Sequence, residues 1–147
     1  IFEGEMKNLT HQLVVRVADK LMLKYELNKK HPNAAPGHFP GRFDSNWQSD
    51  KSFSCLTGNS QIAIIWLRLF QIYKDARFLN SALKIMDLLK GLQNIKSKNE
   101  GIRGALGGSY PIWGDYMTYA FPNWAVKFFA DALMIQESVM NELEPSK

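Results

Sequence analysis

The sequence predicts an all-α chain built from helical hairpins. Apolar residues recur at spacings of three and four through most of its length, the signature of helices with a buried face. The patterned segments alternate in character, one-faced helices with helices that are apolar almost all round. Between them lie long loops rich in glycine and aromatic residues. No β-strand is predicted.

The first helix is expected over about residues 9–27. Leu13, Val14, Val17, Leu21 and Tyr25 form its buried face, with Arg16, Asp19, Lys20 and Lys24 between them. Pro32, Pro36, Gly37, Pro40 and Gly41 keep the next stretch irregular. That loop, roughly 28–57, is long for a compact domain, and Phe39, Phe43, Trp47 and Phe53 give it apolar area with which to pack.

A second helix opens at TGNSQ with Thr57 or Asn59 as its cap. Residues 62–73 are interrupted only by Arg68 and Gln71, so this helix must be buried on nearly every side. Lys74-Asp-Ala is a tight connection that returns the chain antiparallel, with Asp75 as the next cap. Phe78, Leu79, Ala82, Leu83, Met86 and Leu89 then form one stripe.

Residues 94–100 are polar. The stretch 102–124, IRGALGGSYPIWGDYMTYAFPNW, is dense in glycine and rings and ends at Pro122, in the first turn of a last helix. That helix has a broad apolar face made by Trp124, Ala125, Phe128, Phe129, Ala132, Leu133 and Ile135, and its end beyond Asn141 is expected to fray.

The 147 residues suit one domain, 1–147, with a real core. No apolar run reaches the roughly 18 residues of a membrane span, so no membrane association is expected. The net charge of +4 comes from scattered residues with one adjacent pair, Lys29-Lys30, which excludes the basic stripe of a nucleic-acid binder. Cys55 is the only cysteine, which rules out an intrachain disulfide and favours a reducing, cytoplasmic compartment. The opening IFEGEMKNLT has neither an initiator methionine nor a signal pattern. A piece of a longer protein is expected.

The pattern repeats at about 65 residues: one-faced helix, glycine–aromatic loop, apolar helix. GRFDSNW, ending at Trp47, matches GSYPIW, ending at Trp113, and Asn59 matches Asn123 at the start of the following helix. Such self-similarity marks helical units that bury their faces on neighbours.

The outer–inner alternation resembles the (α/α) toroids: six-hairpin glycosidases, the related lyases and epimerases, and terpenoid-cyclase-like folds. So do the GRFDSNW and GSYPIWGDY loops, and SCLTGNSQIA with the hairpin ending KDARFLNSALKIMDLL. The resemblance covers most of the chain. It implies an incomplete toroid of about two hairpins where the closed form has about six, the C-terminal part of a larger one. The missing part of the same chain, or a homo-oligomer, is then expected to cover the apolar inner helix.

Sugar sites join flat aromatic faces to groups that grip hydroxyls. Tyr110, Trp113, Tyr116 and Tyr119 beside Arg103, Asp115 and Asn123 offer both, and Phe43 and Trp47 beside Arg42, Asp44 and Asp50 echo them. A carbohydrate ligand is therefore expected at Trp113, Tyr110, Tyr119, Arg103 and Trp47. Glycoside hydrolysis needs two carboxyl groups about 5–9.5 Å apart, for which Asp115 pairs with Asp44 or Asp50. The competing expectation is that these rings only pack the loops against the helix ends and that the acids are structural. Because Trp is the repeated element, the unrepeated Arg103, Asp115 and Tyr119 are the better functional candidates.

His31 and His38 lack the spacing of a metal motif, so no metal is expected. Cys55 lies at a helix N-terminus, where the dipole lowers a thiol pKa, yet a buried apolar filler is the favoured reading. The glycines from Gly101 to Gly108 follow no strand and precede no Lys-Ser/Thr, so no nucleotide cofactor is expected. Two rival functions stand beside sugar binding. One is a non-catalytic helical module that binds protein through its apolar faces. The other is an isoprenoid-handling toroid, weakened by the lack of an Asp-rich diphosphate motif.

Overall fold

The computed structural model describes residues 2–29, 39–50 and 53–144. Its elements in chain order are α1 (Phe2–Lys29), β1 (Arg42–Phe43), β2 (Ser49–Asp50), β3 (Ser54–Cys55), α2 (Leu56–Tyr73), α3 (Ala76–Leu92), β4 (Ser109–Tyr110) and α4 (Asn123–Leu143). The expectation of a mainly helical chain holds. The absence of strands does not: β1 pairs antiparallel with β2, and β3 with β4. Two-residue strands are too short to show an alternating pattern.

Helix α2 is the hub. It packs along α3 and α4 and touches α1 more lightly, as its nearly continuous apolar sequence requires. Ala63, Trp66, Leu67, Leu69 and Phe70 are buried. The burial is not complete, because Ile65, Ile72 and Tyr73 remain exposed.

The indole of Trp66 is fully buried, 5.7 Å from the Tyr25 ring and 6.2 Å from that of Phe39. Its Nε1–H donates to the Ala18 carbonyl at 3.4 Å. This contact decides which face of α1 is inside. A ring that large needs a small residue opposite it, so Ala18, Met22 and Tyr25 are buried, with Leu21 and Val15 at the edge. Leu13, Val14 and Val17, expected inside, lie outside.

Both ends of α2 have specific closures. Its cap is Cys55, whose Sγ accepts from the Gly58 N–H at 3.4 Å. Thr57 and Asn59 lie within the first helical turn instead. Asn59 is buried, and its Nδ2 donates to Ser54 Oγ at 2.9 Å, which donates in turn to the Phe39 carbonyl at 2.5 Å. At the other end Lys74 adopts a left-handed conformation (φ 55°) that sends its N–H back to Phe70 O. Its ammonium lies 5.7 Å from the Phe70 ring centroid and 3.5 Å from the Glu142 carboxylate of α4.

Asp75 caps α3 as expected, accepting from the Arg77 N–H at 2.9 Å. The expected stripe of α3 is buried or half-buried, and Ile85 joins it. In α4, Ala125, Phe129, Ala132 and Val139 are buried, while Trp124 is exposed. Pro122 occupies the cap position just before the first turn. Asn59 and Asn123 are not equivalent, since one is a buried fourth residue of its helix and the other an exposed first residue. Among the described residues no helix is long and apolar enough to cross a membrane.

Two outcomes follow from these contacts. Trp66→Ala removes a buried indole and the lock between α1 and α2, and should destabilise the fold by about 3–5 kcal/mol in urea titrations. The Asp75 carboxyl is held below the usual aspartate range, first by hydrogen bonds from the Arg77 guanidinium and then by the Arg77 N–H. A depressed pKa contributes stability above the unfolded-state value that is lost as pH falls through the folded one. Asp75→Asn, which keeps a capping side chain, should therefore melt below the parent at neutral pH, with the gap closing as pH drops past the ordinary aspartate range.

Candidate functional site

The two glycine–aromatic loops meet. The β3–β4 ladder pairs Ser54 with Tyr110 and Cys55 with Ser109, and the Leu56 N–H donates to Gly108 O at 3.1 Å. The start of α2 is therefore stitched to the start of the second loop. Phe53 is the wedge between them. A Cβ on Gly41 would fall 2.3 Å from Phe53 Cε2, and one on Gly114 would fall 2.5 Å from Phe53 Cβ. Only glycine allows either backbone so close.

The second loop is closed on itself. The Gly108 N–H donates to Ala120 O at 3.0 Å, joining its ends, and the Tyr119 N–H donates to Ile112 O at 2.8 Å across it. The buried Ser109 hydroxyl bonds both backbone groups of Tyr116, donating to the carbonyl at 2.5 Å and accepting from the N–H at 3.1 Å. Thr118 Oγ1 donates to Gly114 O at 2.8 Å. The Tyr110–Pro111 peptide is cis, and Met117 and Tyr119 both have positive φ, 50° and 56°. Left-handed backbone at a bulky side chain costs about 1–2 kcal/mol per residue and persists only where its surroundings fix it.

This framework displays rings. Trp113 is 65% and Tyr119 71% exposed, and Tyr110, Phe121 and Trp124 also reach solvent. Trp124 Nε1–H donates to the Tyr116 hydroxyl at 3.1 Å, tying the first turn of α4 to the loop. Beside them the Arg42 guanidinium meets the Asp115 carboxylate at 2.9 Å, both well exposed. Arg42 also lies 5.9 Å from the Phe53 ring centroid.

The other expected residues divide differently. Asp44 Oδ1 accepts from the Asn46 and Gln48 N–H groups at 2.9 and 2.8 Å, so its carboxylate shapes a turn. Trp47, half-buried at φ 60°, completes that turn and leans on Phe43 with ring centroids 6.0 Å apart. Arg103 pairs with Glu100 at 3.2 Å in the preceding turn. Asn123 is exposed at the first residue of α4. His31, His38 and the Asp50 side chain lie outside the described residues. His11, on α1, bonds the Tyr73 hydroxyl of α2. Among the described residues no cluster of His, Cys, Asp or Glu can hold a metal ion.

Burial pushes the Cys55 thiol up, against a smaller downward pull from the Gly58 and Thr57 N–H groups. The expected helix-end effect exists but loses to desolvation. The site residues that sequence reasoning missed are Ser109 and Thr118, whose roles come from contacts that no local pattern encodes; Phe53, expected to pack its own loop, packs both.

The chain matches no protein-family model, no curated protein and no solved structure.

The wedge can be tested directly. Gly114→Ala sets a methyl group against Phe53 and Ser109 and should destabilise the protein by about 1–3 kcal/mol in chemical denaturation.

Proposed function

We propose that the loop over residues 108–120 is a carbohydrate-binding surface, carried on helical hairpins of the (α/α)-toroid kind. The single observation behind this reading is the exposure of Trp113 and Tyr119 on a loop held by its own hydrogen bonds, next to the Arg42–Asp115 ion pair. Large rings left in water on a fixed backbone are preorganised to stack, so little ordering cost opposes binding. The flat face of a pyranose presents C–H groups to such rings, and the adjacent guanidinium and carboxylate suit its hydroxyls.

Binding is favoured over hydrolysis. A glycosidase needs one protonated carboxyl and a second one facing it across the bond. Asp44 is committed to backbone N–H groups and Asp115 to Arg42. Neither carboxylate is left free to face the other across a glycosidic bond.

Titration of a panel of neutral and acidic oligosaccharides should find a binder. Trp113→Ala should weaken it by about tenfold or more, the effect of deleting a dominant aromatic contact. Unchanged affinity in a folded variant would sink the proposal. A second reading, a module that binds protein, draws support from the apolar surface left open between α1 and α2.

A further inference from the structure

Between the Trp66–Ala18 contact and the His11–Tyr73 bond, helices α1 and α2 leave a groove of about 780 Å³. Val14 lines one side, and Ile64, Ile65, Leu69 and Ile72 line the other. His11 and Tyr73 bond across one end. Along the outer face of α2 the sequence places Ile65, Arg68 and Ile72 at successive turns, all exposed. Arg68 is thus a cation set between two apolar residues. It donates to Gln71 Oε1 at 2.9 Å, and among the described residues no carboxylate forms an ion pair with it.

Helix α4 carries the complement. On its outward face Met134 (69% exposed), Glu137 and Met140 follow at three-residue spacing. Glu137 is exposed and, among the described residues, has no ion-pair partner, whereas neighbouring Glu142 is held by Lys74 and Gln71 of α2. A shallow depression of about 340 Å³ beside Met134 and Met140 is open to receive side chains. One helix therefore shows a cation flanked by isoleucines, and the other an anion flanked by methionines.

We propose that the α1–α2 groove is filled by α4 of a second copy of this chain, with Glu137 of one molecule set against Arg68 of the next. Charge selects this pairing among the self-contacts available. Groove against groove would bring Arg68 against Arg68. The outer face of α1 interleaves Leu9, Leu13 and Leu23 with Arg16, Asp19 and Lys20, a net cationic set that matches Arg68 less well. On α4, by contrast, exposed apolar side chains flank a carboxylate that has no ion-pair partner among the described residues. Two different surfaces meet, so the contact either forms twice, closing a two-fold dimer, or runs head-to-tail into a ring or an open array. It is independent of what the aromatic loop binds.

Sedimentation equilibrium of the full chain over a wide concentration range tests this. Concentration-dependent self-association that weakens with salt is expected. Arg68→Glu and Glu137→Arg should each weaken it by about tenfold or more, because each opposes like charges at the contact. The double variant R68E/E137R should return to within a few-fold of the parent. Both positions are exposed, so circular dichroism should show the parental fold, and the neutral variants Arg68→Gln and Glu137→Gln should shift association in the same direction. A monomer at all concentrations would overturn the proposal. So would association indifferent to the single changes, or a double variant no better than either. A groove that takes up an acidic amphipathic peptide or a fatty acid while the chain stays monomeric would assign it to another occupant and equally end the idea.

Discussion

The burial of Trp66 is the constraint from which most of the architecture follows. Its ring is the largest fully buried side chain among the described residues, and its N–H must find an acceptor once it leaves water. The Ala18 carbonyl supplies one, which requires α1 to approach closely at a small residue. That single requirement turns α1 about its axis, carries Tyr25 and Phe39 onto the indole and leaves Leu13, Val14 and Val17 in water. The open groove is thus the other side of the same contact.

From α2 the order passes into the loops. Its first residues carry the Phe39–Ser54–Asn59 chain of buried hydrogen bonds and the thiol cap of Cys55. Immediately before them Phe53 keys into Gly41 and Gly114. The aromatic surface is therefore an extension of the helical core and not an appendage to it. Its strained residues, Met117 and Tyr119, sit where the ladder, the Ser109 hydroxyl and the loop closure all converge. Rigid backbone beneath exposed rings is the physical basis for reading this surface as a binding site.

Much of this was legible in the sequence, because periodicity records burial along one helix. Helices α2, α3 and α4 lie where the spacing puts them, and KDAR announces the Asp75 cap. Periodicity does not record which face a neighbour demands, so α1 was misread: its leucine and valine stripe is the stronger pattern, but the Trp66 ring selects Ala18. The Cys55 cap was hidden behind better capping residues, since Asn59 is needed by Ser54 instead. In the site, the meeting of two loops was foreseeable from their shared composition. The Arg42–Asp115 pair, separated by 73 positions, was not. Asp44 and Trp47 resemble Asp115 and Trp113 in composition but serve a turn, a difference that depends on which neighbour reaches the backbone first.

The hydrogen bond between Gly108 and Ala120 closes the aromatic loop at its base, so the helices meet the loop at nearly one point. Exposed side chains inside such a closure can change without moving the elements on either side, because the backbone beneath them is held from within the loop. The exposed side chains of this segment, Trp113 and Asp115 among them, are accordingly more open to divergence than Gly114, which Phe53 fixes. Related scaffolds could present different rings at the same place, altering the exposed surface while Trp66 and Phe53 stay fixed.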